Sequence, residues 1–260
     1  MRIDKYLAAA SYTKSRKFAQ DLIDAGAVKV DGVVVKKASQ EIDHTVPHKV
    51  EIEELFKYVS RGGMKLEAAL DRFGINVNGA KAVDVGASTG GFTDCLLKRG
   101  AREVYAIDTG VGQLHPTLLS DPRVHSIEKF NARELDMSIT EGECDVAVAD
   151  VSFISQTYII PNVVSVMRDG ATFISLIKPQ FEAGASALGK GGIVTNSAYR
   201  FLAVKRVLSS AHDNGLDCRG LAVSPITGGD GNKEYLAYFV KSSTLIPRID
   251  DKMIKRITAL

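Results

Sequence analysis

Residues 82–92 read Ala-Val-Asp-Val-Gly-Ala-Ser-Thr-Gly-Gly-Phe, a short β-branched run that breaks into a glycine-rich turn. A helix-length segment runs on to Gly100, and a second apolar run, Val104-Tyr105-Ala106-Ile107, ends in Asp108. Strand, loop, helix and strand in that order are the repeating unit of a parallel sheet, so the chain is predicted to be α/β with a Rossmann-like, doubly wound sheet. In such a unit the glycines let the backbone approach a ligand closely, and an acid about 20 residues further on accepts hydrogen bonds from ribose hydroxyls. Asp108 stands 22 residues after Gly86. The expected ligand therefore carries a ribose.

What the loop lacks narrows the ligand. The dinucleotide fingerprint is Gly-x-Gly-x-x-Gly, whereas here Ser88 fills the middle position and the spacing is Gly-x-x-x-Gly-Gly. Asp84, just before the loop, would repel a pyrophosphate and suits an ammonium or sulfonium group. S-adenosylmethionine has both and no phosphate. The same residues also suit a tight turn in an α/β domain that binds nothing.

At 260 residues the chain has room for one large domain and a small one, and a formal charge of +2 does not by itself call for a nucleic-acid partner. Any basic footprint must be local. Cys95, Cys144 and Cys218 are odd in number and far apart, which disfavours a disulfide framework or a zinc site and fits a reducing cytoplasm. Pro47 between His44 and His48 argues against a helical metal pair, and no metal is expected. The first residues carry Arg2, Asp4 and Lys5, and Val146 to Val166 is interrupted by Asp150, Ser152, Ser155, Gln156 and Asn162. Neither a signal peptide nor a membrane span is expected.

The N-terminal stretch predicts helices over Ile3 to Ala10 and Lys14 to Ala25, the second stopped by Gly26, then a hairpin from Val28 to Val35 about Asp31-Gly32. His44 to Glu54 reads as an extended return, with Glu51, Glu53 and Glu54 on an exposed strand edge. The pattern Arg2-x-Asp4-x-x-Leu7, then Ser15-Arg16-x-x-Ala19-x-x-Leu22-Ile23-x-x-Gly26-x-Val28-x-Val30-Asp31-Gly32, closely resembles the small α+β RNA-binding domain named after the fourth small-subunit ribosomal protein. That resemblance implies Arg2, Lys5, Arg16 and Lys17 as contacts to the backbone of structured RNA. Such contacts position RNA without reading much sequence.

A short linker, 57–60, leads into a helix with Leu66, Ala69, Leu70 and Phe73 on its apolar face. Its first turn carries Lys65, where the helix dipole favours an acid. After Asp108, strands are expected at 124–127, 145–150 and 171–177, the last ending at Lys178, with a loop at Phe130-Asn131-Ala132-Arg133 between the first two. Helices are expected over 152–167, kinked at Pro161, and over 197–212. Residues 216–224 and 234–240 should close the sheet as an antiparallel pair, and the glycine-rich 184–192 reads as a flap too poor in side chains to pack.

Asp150 and Lys178 each follow a parallel strand, at the edge where open α/β sheets bind ligands. If the last strand is antiparallel, Glu234 arrives at that same edge, and Lys65 can reach it. Two lysines and two carboxylates then converge beside the glycine loop, either as catalytic groups or as a structural ion-pair network.

The order Lys65, Asp150, Lys178, Glu234 resembles that of the FtsJ-like 2′-O-methyltransferases. Val59-Ser60-Arg61-Gly62-Gly63-x-Lys65-Leu66, Asp150-Val151-Ser152-Phe153-Ile154 and Ile177-Lys178-Pro179-Gln180-Phe181-Glu182 are similar to their TlyA (hemolysin A) branch, known as ribosomal RNA cytidine 2′-O-methyltransferases. The resemblance implies those four residues as the catalytic set. It also implies S-adenosylmethionine held by Gly86, Ser88, Thr89, Gly90, Phe92, Asp108, Asn131 and Asp150, and ribosomal RNA or ribosomal subunits as partners. The domains expected are 1–56 for RNA binding, 57–60 as linker, 61–241 for methyl transfer and 242–260 as a tail. A ribose 2′-hydroxyl must lose its proton as it attacks, so alignment and a base are the main requirements. Lys178 is the expected base, or the group nearest the 2′-oxygen. A membrane-active hemolysin, a non-catalytic assembly factor and a methyltransferase for another RNA are the competing readings.

Overall fold

The computed structural model describes residues 1–13, 16–24, 26–52, 57–228, 231–242, 244 and 250–260, apart from the side chains of Lys17 and Asp21. Contacts divide the chain into two units, Met1–Arg61 and Gly62–Leu260.

In the first unit, α1 (Ile3–Ala9) and α2 (Arg16–Asp24) turn Ile3, Leu7, Ala19, Leu22 and Ile23 inward onto Val28 and Val35. Gly26, at φ 74°, ends α2, and the Gly26 and Ala27 amides donate back to the Ile23 and Leu22 carbonyls. That left-handed terminus is disfavoured for residues with a side chain. β1 (Val28–Val30) and β2 (Val33–Val34) pair across Asp31 and Gly32, whose φ values of 50° and 78° give the turn that matches strand twist. β3 (Val50–Ile52) adds on the other side of β1, so Glu51 lies on a strand at the sheet edge. Glu53 and Glu54 fall outside the described residues, as do Lys14, Ser15 and Ala25.

The second unit begins with α3 (Gly62–Phe73), β4 (Lys81–Val85), α4 (Gly91–Lys98), β5 (Glu103–Ile107), α5 (Pro116–Leu119), β6 (Val124–Ile127) and β7 (Cys144–Ala149). It continues through α6 (Ile160–Ser165), β8 (Met167–Ile177), α7 (Pro179–Glu182), α8 (Ser197–Asp213), β9 (Leu216–Val223), β10 (Tyr235–Lys241) and α9 (Asp251–Ala259). These strands form one sheet in the order β6-β5-β4-β7-β8-β10-β9, parallel up to β8, with β10 antiparallel to both its neighbours. The fold is the expected Rossmann-like one. Every position of β4 is buried, Lys81 and Asp84 included, because a central parallel strand is covered on both faces.

Three stretches differ from the sequence reading. The helix expected over 152–167 is broken: Phe153 takes φ 63°, Ser155 caps a 3₁₀ turn at Gln156–Tyr158, and α6 starts only at Ile160. Pro161 lies in the first turn of α6, where its missing amide costs nothing, so it starts a helix rather than kinking one. The glycine-rich 184–192 folds as two 3₁₀ turns, Ala185–Ala187 and Lys190–Gly192, and Ala187 is buried. The expected tail contains α9, capped by Asp250, which buries Ile254, Ile257 and Thr258 and packs on α8 and β9. Lys252, Lys255 and Arg256 are left on its exposed side.

The sheet is pinned by Phe173 and Phe239, both fully buried, with ring centroids 5.6 Å apart on β8 and β10. Phe173→Ala should lower stability by about 3–5 kcal/mol, read as a fall in the denaturant midpoint at unchanged m-value.

Candidate active site

A ligand of an open parallel sheet sits beyond the carboxyl ends of the strands, where the strand order reverses. Here that point lies between β4 and β7. The loop leaving β4 turns through Gly86 (φ 84°), Ser88 (φ 50°) and Gly90 (φ 94°). A Cβ on Gly86 would stand 2.7 Å from the Asp150 carbonyl oxygen, and one on Gly90 would run into Leu118. At the end of β5, Asp108 accepts hydrogen bonds from the Ser88 amide (2.7 Å) and the Gly110 amide (2.7 Å). Each carboxylate oxygen keeps acceptor capacity for a hydroxyl.

Between these loops lies a cleft of about 340 Å³. Of the residues expected to hold a cofactor, Gly86, Ser88, Asp108, Asn131 and Asp150 line it. Thr89, Gly90 and Phe92 do not. The Thr89 carbonyl accepts from the His115 amide, Gly90 is covered by Leu114 and Leu118, and Phe92 is buried in the core. Asn131 lines the cleft while its side-chain oxygen caps the turn at Ala132–Glu134. Thr109, Gln113, Phe130 and Ile154 also line it and were missed, since nothing in their spacing marks them.

Asp84 was expected to face the ligand's positive charge. It is instead fully buried and absent from the cleft wall, because its side chain points into the first turn of α4, where Thr93 Oγ1 donates to Asp84 Oδ2 at 2.7 Å. Its other oxygen is buried without a hydrogen-bond partner among the described residues. Burial pushes the carboxyl up to about 7, against the Thr93 hydrogen bond and with help from the Asp150 and Asp108 charges.

Lys65, Asp150, Lys178 and Glu234 form two pairs in the structure. Lys65 Nζ donates to Glu234 Oε2 at 2.5 Å, both side chains being buried. Lys178 Nζ lies 2.6 Å from Asp150 Oδ1 and donates to Ser152 Oγ at 2.8 Å. Strand register explains the grouping. Tyr235 of β10 is opposite Ile177 of β8, so Glu234 and Lys178, the next residues outward, emerge at the same edge. Asp150 follows β7 on the other side of β8, and its amide donates to the Val85 carbonyl at 3.1 Å. Lys65 comes from α3, which packs on α4 and β10.

A second, larger cavity of about 720 Å³ shares Phe153 and Ile154 with the cleft and is also lined by Tyr158, Gln180, Phe181 and Arg206. Phe153 is 91% exposed, and its ring centroid is 5.0 Å from that of Phe181. A bulky residue at positive φ is a backbone outlier, and its exposure beside both cavities makes Phe153 a candidate functional position. The expected helix over 152–167 hid this residue.

In the first unit, Arg2 and Arg16 meet on one buried carboxylate. Arg2 donates to both oxygens of Asp4 (3.1 and 3.0 Å), Arg16 Nη2 to Oδ2 at 3.1 Å, and Gln20 Nε2 to Oδ2 at 2.8 Å. Burial alone would raise the Asp4 carboxyl, but these bonds hold it well below the usual carboxylate range. Both guanidinium groups remain about half exposed, and Lys5 is exposed. The Lys17 side chain lies outside the description.

The raised Asp84 group fixes the sign of one pH effect. In the unfolded chain an aspartate ionises near pH 4, so between about pH 4 and 7 rising pH disfavours the folded state, where Asp84 resists ionising. Asp84→Asn should therefore gain thermal stability relative to the parent as pH rises from 5 to 8. A difference in melting temperature that does not change with pH would contradict this.

Comparison with known proteins agrees with this geometry. Residues 58–241 match the FtsJ-like methyltransferase family and residues 1–45 the S4 domain. Hemolysin A of Brachyspira hyodysenteriae is 45% identical over 92% of this chain and all of its own length. The 16S/23S rRNA (cytidine-2′-O)-methyltransferase TlyA of Mycobacterium tuberculosis is 40% identical over 91% of this chain and 88% of its own. A solved structure of a hemolysin-type protein from Streptococcus thermophilus superposes with a TM-score of 0.80 at 38% identity, covering all of this chain and 94% of that one. A family match over most of the chain, and relatives 40–45% identical along almost its whole length, show that the chain belongs to the FtsJ-like methyltransferase family.

Proposed function

We propose that this enzyme transfers a methyl group from S-adenosylmethionine to the 2′-hydroxyl of a cytidine in ribosomal RNA, in the cytoplasm. The observation that carries the reading is the position of Lys178. Its Nζ is bonded to Asp150 and Ser152, which line the cleft, while Gln180 and Phe181, two and three residues on, line the larger cavity. A group held there stands between a cofactor and an acceptor.

The cleft suits S-adenosylmethionine: Gly86, having no Cβ, lets the β4 loop close against the Asp150 carbonyl at the edge of the cleft, and Asp108 keeps acceptor capacity for ribose hydroxyls. When bound, S-adenosylmethionine supplies an electrophilic methyl carbon. Phe153 offers an open aromatic face on which a nucleotide turned out of its helix can stack, which brings its ribose toward Lys178. Lys178, as the neutral amine, would take the hydroxyl proton as the oxygen displaces the sulfur from the methyl carbon, and Asp150 and Ser152 aim the amine. Lys65 and Glu234, buried together and lining neither cavity, hold the sheet edge from which Lys178 emerges. Arg2, Lys5, Arg16 and Lys17 hold the RNA by its phosphates. The name of one relative suggests a membrane-active alternative, which needs an inserting segment; no helix among the described residues is long and apolar enough to cross a membrane.

The test is methyl transfer from labelled S-adenosylmethionine to separated ribosomal subunits, with the modified ribose mapped by its resistance to alkaline cleavage. Lys178→Ala should reduce transfer by about 100-fold or more while cofactor affinity stays within about twofold, as expected for loss of an acid–base group. Retention of most transfer at saturating cofactor would remove Lys178 from this role. A parent enzyme that labels neither subunit would point to the non-catalytic assembly role or another RNA. Gly86→Ala should instead weaken cofactor binding by about tenfold or more in equilibrium titration, since its Cβ would meet the Asp150 carbonyl.

A further inference from the structure

The wall of the larger cavity includes Gly191 and Gly192, both in left-handed conformations (φ 74° and 75°), which glycine adopts without strain but does not prefer. Such a stretch keeps one shape only if something else imposes it. One buried side chain bonds it directly and a second holds the residues that follow it. Asn232, 2% exposed, accepts from the Val194 amide at 2.9 Å and donates to the Gly192 carbonyl at 3.1 Å. Arg200 of α8, 7% exposed, donates from Nη1 to the carbonyls of Thr195 (2.5 Å) and Val194 (3.4 Å), and from Nε to that of Thr258 in α9 (3.0 Å).

A buried guanidinium is tolerated only when its donors are satisfied, and its rigid fork reaches acceptors lying in different directions. Here those acceptors belong to Val194 and Thr195, which follow the wall glycines in sequence and are joined to Gly192 through Asn232, and to the last turn of α9. α9 is itself fastened to α8 by Ile254, Ile257 and the ion pair between Lys205 and Asp251 (2.6 Å). Yet the family match ends at residue 241. Asn232, which lines the same cavity, lies two residues before Glu234 of the buried lysine pair. None of Val194, Thr195, Arg200, Asn232 or Thr258 lines the cofactor cleft.

We propose that Arg200 is a positioning residue for the RNA acceptor: by tying the last turn of α9 to residues 194 and 195 it anchors the segment that carries the wall glycines Gly191 and Gly192, leaving the cofactor cleft untouched. This rests on the reading that the larger cavity takes the acceptor nucleotide. It also gives α9, beyond the matched domain, a role in the reaction.

The experiment compares the full-length parent with Arg200→Met, which keeps the bulk and removes the donors, and with Arg200→Lys, a milder change that keeps the charge. For Arg200→Met the KM for ribosomal RNA should rise about tenfold while the cofactor dissociation constant and kcat stay within about threefold, the split expected when ground-state placement of one substrate is lost. Hydrogen exchange should quicken at the amides of residues 189–195 and stay unchanged at 82–108. Arg200→Lys should show the same pattern more weakly, and it carries the test if Arg200→Met does not fold. An unchanged KM, or a cofactor affinity that falls in step with the KM, would overturn the proposal, the second by showing general loosening. If the parent methylates no ribosomal RNA, the functional reading fails first and this inference with it.

Discussion

The approach of the β4 loop to the start of the β7 loop is the constraint on which the rest of the site depends. Gly86 lies so close to the Asp150 carbonyl that no side chain fits between them, and the Asp150 amide in turn bonds the Val85 carbonyl. One backbone contact thus sets the floor of the cofactor cleft and the position of a carboxylate that bonds Lys178. Because neighbouring parallel strands keep a fixed spacing, any shift of this crossing would move the cleft and the larger cavity beside it together.

From that crossing the two lysine–carboxylate pairs follow by register. β10 runs against β8, which delivers Glu234 beside Lys178 although the two are 56 residues apart in sequence. The pairs differ in burial. Lys65 and Glu234 are nearly sealed, whereas Lys178 and Asp150 are partly open to solvent, with side-chain exposures of 12% and 22%. Removing one member of a sealed pair leaves an uncompensated charge, so such pairs are weak sources of stability but strong fixers of geometry. The more open pair is the one able to meet a substrate hydroxyl.

Charge is handled differently in the N-terminal unit. Asp4 of α1 spends its carboxylate on Arg2, which precedes that helix, and on Arg16 and Gln20 of α2, which orders the two arginines while leaving their side chains half exposed. An arginine held in this way loses less freedom when it meets a phosphate. Asp4 thus joins α1 to α2 and orders the basic groups between them.

Much of this was written in local sequence. The β-branched run, the glycine spacing and the acid 22 residues on specified a strand, a close-approach loop and a ribose partner, because glycine conformations and strand periodicity are local properties. Asp31-Gly32 fixed its hairpin for the same reason. The positions of Asp150, Lys178 and Glu234 at strand ends were also legible, since a polar residue that ends a buried apolar run has few other places to be. Long-range packing decided the rest. Asp84 turned toward Thr93 and not the ligand, Phe153 left the expected helix for the rim of both cavities, and α9 folded back onto α8 and is joined through Arg200 to residues 194 and 195. Each of these outcomes depends on which distant backbone carbonyl, hydroxyl or helix face lies opposite, and no periodicity or propensity along the chain carries that information.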